Sequence, residues 1–104
     1  MKTISICGKI TNATPEEISL FHEVESRLKF FGYSVFNPVI LSVKYPGETW
    51  EFYMEICIKK LIQNKKAVFL PNYKESKGAL LEYHICKQLN YEIWELDKNL
   101  YISN

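Results

Sequence analysis

Three features of the 104-residue sequence predict an α/β fold with a mostly parallel sheet. Short β-branched or apolar runs alternate with longer segments of helical periodicity along the whole chain. One run, "AVFL" at 67–70, is continuously apolar, as a central strand covered on both faces requires. Gly, Asn and Pro stand at the ends of these segments and punctuate them. Right-handed crossovers then put helices on both faces of a four- or five-stranded sheet. A chain of this length makes one domain, over 1–104.

"TISIC" at 3–7 is the first strand, bounded by Gly8. Thr14 then supplies an N-cap, Pro15 suits the first helical position, and Glu17 completes a capping box. Ile18, Phe21, Val24 or Glu25, Leu28 and Phe31 recur at helical spacing until Gly32 ends the helix. "YSVF" at 33–36 is a second strand, stopped by Asn37-Pro38 because Pro cannot donate to a ladder. Residues 39–48 read as a loop. A second helix starts near Thr49 with Trp50, Tyr53 or Met54, Cys57, Leu61 and Ile62 as its apolar face. After the strand at 67–70, a third helix begins at Ser76 and is expected to bury Leu81, Ile85 and Leu89. Asn90 suits a left-handed cap before the strand "EIWEL" at 92–96. "LYIS" at 100–103 is a candidate edge strand.

Composition narrows the function. Net charge is +1 with both signs interspersed, which disfavours a nucleic acid polymer as partner. Three cysteines lie in apolar runs with no CxxC pair, giving neither a disulfide framework nor metal-ligand spacing. They read as buried small hydrophobes of a protein from a reducing, cytoplasmic compartment. No run approaches the ~20 apolar residues of a membrane span. A domain this small keeps a high surface-to-volume ratio, so a homo-oligomer is expected, a dimer first. The expected partner is a small molecule, with no membrane, metal or cofactor.

Ligands of an open parallel sheet bind beyond the carboxyl ends of its strands. Those ends are Gly8-Lys9-Ile10, Asn37-Pro38 and the loop 71–77, which should converge on one crevice. Ser76, Lys77 and Gly78 offer a hydroxyl, a cation and the first N–H groups of a helix, a set suited to an anion such as phosphate. Gly78 lets a ligand approach the backbone closely. Trp50 and Tyr53 are candidates to stack on a base, although aromatics at helical spacing are more often core. Glu82 follows Ser76 by six residues. Spacing alone makes it a solvated glutamate.

"KTISICGKIT", "GYSVFNP", "WEFYM" and "LPNYKESKGALLE" occur here in an order that resembles the small bacterial and phage proteins related to nucleoside 2-deoxyribosyltransferases, many of them of unknown function. The resemblance covers about residues 2 to 90. It implies a flavodoxin-like three-layer sandwich, often dimeric, acting at the N-glycosidic bond of a nucleoside or nucleoside 5′-monophosphate. It also implies that Glu82 is the nucleophile, attacking the anomeric carbon as in retaining glycosidases. Six residues before that glutamate, transferases carry an aspartate for the free 5′-hydroxyl and monophosphate hydrolases a serine. Ser76 therefore points to a phosphorylated ligand. The sequence departs from the pattern in three places. Ser5 stands where relatives carry a tyrosine, and the second acid falls on either Glu55 or Cys57. Lys65-Lys66 replaces an aspartate. The alternative expectation is a non-catalytic nucleotide-binding protein that keeps the crevice.

Overall fold

The computed structural model describes residues 2–102. Four strands, β1 (Thr3–Cys7), β2 (Ser34–Phe36), β3 (Lys66–Phe69) and β4 (Glu92–Glu95), form one sheet in the order β2-β1-β3-β4. All neighbours are parallel, with Thr3 opposite Ser34, Ser5 opposite Ala67 and Val68 opposite Trp94. The helices are α1 (Pro15–Phe30), α2 (Ile40–Lys44), α3 (Trp50–Asn64) and α4 (Lys77–Gln88). The layering is that of a flavodoxin-like three-layer sandwich.

Side-chain alternation along the strands builds two cores. Ile4, Ile6, Val68 and Leu70 pack with Phe21, Val24 and Leu28 of α1. Cys7, Ala67 and Phe69 point the other way and pack with Leu61 of α3 and Ala79 and Cys86 of α4. Phe21 and Phe69 are wholly buried, each stabilising the fold by roughly 1.5–3 kcal/mol.

The ends of α1 follow the sequence closely. Thr14 Oγ1 accepts from the Glu17 N–H at 3.1 Å while the Glu17 carboxylate accepts from the Thr14 N–H at 2.8 Å. Gly32 takes the left-handed conformation at φ +95°, and Asn90 does so after α4 at φ 56°. Phe31, however, lies past the helix end and is 74% exposed.

Three other expectations are corrected. The segment read as a loop at 39–48 contains α2, a single turn and a half with Leu41 buried. On α4 the inward face is Gly78, Ala79, Glu82 and Cys86, while Leu81 and Leu89 are exposed. Small residues let the helix lie close to its neighbours, and the larger leucines are displaced to its outer side. At the carboxyl end, the candidate edge strand shrinks to one antiparallel bridge between Leu96 and Ile102. Ser103 lies outside the described residues.

Candidate functional site

The carboxyl ends of β1 and β2 and the amino end of α4 meet at a chamber of about 310 Å³. Gly8 and Ile10 after β1 line one side, and Pro38 after β2 lines another. Trp50, Tyr53 and Cys57 reach in from α3, and Ser76, Gly78 and Glu82 from α4. Tyr53 also donates its hydroxyl proton to the Tyr45 carbonyl and receives the Glu48 N–H at 3.3 Å, pinning the segment after α2 onto α3. That segment, with α2, contributes Leu41, Ser42 and Glu48 to the wall. A loop reading of 39–48 could not have assigned them.

A second, polar cleft of about 590 Å³ adjoins the chamber and shares Thr11, Trp50, Ser76 and Gly78 with it. The site's two cations belong to this outer cleft. Lys77 lies over the Trp50 ring, 4.2 Å from its centroid. The Lys9 ammonium is 3.5 Å from Glu75 and 3.9 Å from Glu17, and the Lys9 N–H donates to Asn72 at 3.2 Å. No lysine, arginine or histidine is among the chamber-lining residues. The chamber is thus lined by the acids Glu48 and Glu82 without a cation, whereas the cleft outside it carries Lys9 and Lys77 together with Glu51 and Glu75.

Ser76 caps α4, its hydroxyl accepting from the Ala79 N–H at 3.1 Å. The earlier N–H groups of the first turn have no acceptor inside the helix. Gly78 has a packing reason for being glycine. A Cβ there would lie 2.7 Å from Sδ of Met54 on α3. Gly8 is similarly tight, since its Cβ would stand 2.8 Å from Leu70 Cδ1 and 3.1 Å from Leu70 Cβ.

Asn37 lies behind the chamber and is not among its lining residues. It is buried, and its amide donates to Glu25 at 2.9 Å while its carbonyl accepts from the Val39 N–H. Glu55 is exposed and is also not among the lining residues, whereas Cys57 is one of them. Ser5 is buried under α3 and accepts a hydrogen bond from Asn64 at 2.9 Å.

Glu82 is the electrostatic centre of the site. It is only 7% exposed, on a face otherwise made of small or apolar residues. Burial penalises the carboxylate and pushes its pKa up to about 7, although a hydrogen bond with the Cys7 thiol pulls the other way. All three cysteines feel this carboxylate. Burial first and Glu82 second push Cys57 and Cys86 up to about 12, and Cys7 also rises well above the usual thiol value. At neutral pH they are thiols, unsuited to nucleophilic attack.

A carboxyl that changes charge near neutrality inside an apolar chamber can serve as nucleophile or as proton carrier. Among the described residues, no group of three or more His, Cys, Asp or Glu is placed to hold a metal ion. No helix among them is long and apolar enough to cross a membrane.

No curated protein and no solved structure matches the chain. Residues 2–95 match the family described as domain of unknown function DUF4406, and the chain belongs to that family.

Proposed function

We propose that the chamber cleaves the N-glycosidic bond of a nucleoside 5′-monophosphate through Glu82. The observation that carries this reading is the burial of that carboxyl on a chamber wall, beside a polar cleft in which Lys77 stands next to the first turn of α4. The sugar and base occupy the chamber, and the phosphate lies outside at the first turn of α4, near Lys77. A chamber of about 310 Å³ is at the lower end for small-molecule sites, which suits a ligand whose phosphate stays outside.

In the first step a Glu82 carboxylate oxygen bonds to the anomeric carbon. The bond to the base breaks, and the base leaves with its electron pair and gains a proton. Water then attacks the anomeric carbon of the glycosyl ester, giving sugar phosphate and restoring the carboxyl group. Glu48, the other acid lining the chamber, is the candidate proton carrier for the departing base. The resemblance pointed instead to Glu55 or Cys57, and Glu55, which is not among the residues lining the chamber, has no part in this scheme.

Incubation with a panel of ribo- and deoxyribonucleoside monophosphates tests the reading, with free base as the readout. Wild type should release base, Glu82→Gln should not, and Glu48→Gln should retain binding with a lowered kcat. Equal release by wild type and Glu82→Gln would overturn it.

A second reading is supported by Ser5, whose hydroxyl is occupied by Asn64 beneath α3. If the site binds nucleotide without turnover, nucleotide raises the melting temperature and no base appears. Indifference to every nucleotide would count against both readings.

A further inference from the structure

We infer that residues 39–48 form a lid over the chamber and that the Tyr53 hydroxyl is its latch. The lid does not depend on the proposed chemistry; only its effect on base release rests on that reading. The chamber's walls are anchored unequally. Gly8 follows a strand whose Ile6 and Cys7 are buried, and α3 and α4 are tied into the core by Leu61 and Cys86, both wholly buried. The wall made by 39–48 is anchored inward by Leu41, whereas residues 42–48 are all exposed, Val43 at 78%. Within it α2 is five residues long, and Val39 at its amino end supplies no side-chain cap. A helix that short has little stability of its own.

Both ends of the segment are fixed. Asn37 is buried and accepts from the Val39 N–H at 3.1 Å, which sets the direction in which the chain leaves β2. At the other end Thr49 caps α3, accepting from the Phe52 N–H at 3.1 Å. Just before that cap Gly47 has φ +78°, a left-handed conformation that favours glycine. Among the described residues, the hydrogen bonds that carry 40–48 onto α3 are the two at the Tyr53 hydroxyl, which donates to the Tyr45 carbonyl and accepts from the Glu48 N–H. The Tyr45 ring adds an edge-to-face contact with Phe52 at 5.5 Å. One phenol therefore holds both the end of α2 and the residue that carries the second acid.

Two exposed hydrogen bonds are a small hold, so the segment opens locally, well short of global unfolding. It turns about its fixed ends, where a few element-terminal residues absorb the change in backbone angles. Glu82 and Cys57, each 7% exposed on the chamber wall, are then uncovered together. Closing covers them again and returns Glu48 to the wall, because its N–H is bonded to the latch. Tyr53 is thus a positioning residue, acting on the departing base through Glu48.

Labelling of Cys57 by methyl methanethiosulfonate tests the lid, with the modified residue located by peptide mass spectrometry. Wild type should label slowly, and Tyr53→Phe, which keeps the ring and loses the latch, roughly tenfold faster. Gly47→Ala should speed labelling as well. Its Cβ meets nothing within 4 Å, so it acts by disfavouring the closed backbone alone. Cys7 and Cys86, 1% and 0% exposed, should stay unmodified throughout. Base release gives a second readout. Tyr53→Phe should lower kcat more than it raises KM, and Glu48→Gln should add little to it, as two residues acting as a unit do. A wild-type labelling rate in Tyr53→Phe overturns the lid. So does joint labelling of all three cysteines, which would report unfolding of the core instead. Full additivity of Tyr53→Phe and Glu48→Gln overturns the positioning role. If no nucleotide yields base, the proposed chemistry fails while the labelling rates still decide the lid.

Discussion

The thiol of Cys7, at the end of β1, is hydrogen-bonded to the carboxyl of Glu82 on α4. A strand end and a helix face thereby meet at the chamber wall, with a buried acid held by a weak donor. One S–H···O contact offsets only part of the cost of removing a carboxylate from water. The imbalance accounts for the upward shift of Glu82 and makes its protonation state measurable.

Stability should fall as pH rises through this group. Glu82 has a folded pKa of about 7 and an ordinary value of 4.5, so the folded state holds the proton more tightly. Its contribution is full below 4.5 and is lost progressively between 4.5 and 7. A shift of this size corresponds to about 3 kcal/mol. Denaturant unfolding at pH 5 and pH 8 should show that loss in wild type and a much smaller one in Glu82→Gln. Parallel curves for the two proteins would contradict the assignment.

Removing the thiol should push Glu82 higher still. The Cys7 hydrogen bond is the influence that lowers its pKa, so Cys7→Ala leaves burial unopposed. Carbon-13 NMR titration of the glutamate side chains should place the Glu82 midpoint above its wild-type value of about 7. If Glu82 is the nucleophile, base release should rise with pH along the same curve, because attack needs the carboxylate. The acid limb should move upward in Cys7→Ala. An unmoved NMR midpoint would show that the contact does not stabilise the charged form.

The two site glycines should respond differently to alanine. At Gly8 the new Cβ meets Cδ1, Cβ and Cγ of Leu70, the nearest at 2.8 Å. A branched side chain held at its Cβ has little room to yield, so Gly8→Ala should cost about 1–3 kcal/mol. At Gly78 the obstacle is Met54 Sδ at 2.7 Å, toward the end of a flexible side chain. The helix gains propensity of up to ~1 kcal/mol from the same change. Gly78→Ala should therefore stay within about 1 kcal/mol of wild type in unfolding experiments. Met54 also lines the chamber, so its displacement should weaken ligand binding, and Met54→Ala should restore it.

These results separate what the sequence encodes locally from what it encodes only through packing. Strand alternation and the box around Thr14 and Glu17 follow from short-range chemistry, and both were legible. The inward face of α4 was not, because periodicity counts leucines. Leu81 and Leu89 look like core, yet Gly78, Ala79 and Cys86 are the residues small enough to let the helix approach the sheet and α3. That one-residue change of phase turns Glu82 from a solvated group into a buried one. Glu48 was missed for a related reason. Its place in the wall depends on Tyr53, whose hydroxyl ties the segment after α2 to α3 through side-chain contacts to Tyr45 and Glu48 that apolar periodicity does not register.

Ser76 allows ligand charge to be tested apart from helix stability. Its hydroxyl caps α4 by accepting from the Ala79 N–H at 3.1 Å. Ser76→Ala removes that acceptor and should cost about 1 kcal/mol. Aspartate is as good a cap and also favours the positive end of a helix, so Ser76→Asp should unfold at or above the wild-type midpoint. It nevertheless places a carboxylate where the chamber and the polar cleft join. A 5′-phosphate there would be repelled, while a free 5′-hydroxyl could donate to the new acid. Thermal-shift titration should show nucleoside monophosphates losing at least tenfold in affinity for Ser76→Asp, about 1.4 kcal/mol, with unphosphorylated nucleosides holding or gaining. Equal loss for both ligand types would place the phosphate elsewhere. Unchanged binding of both would mean that the junction at Ser76 meets neither group.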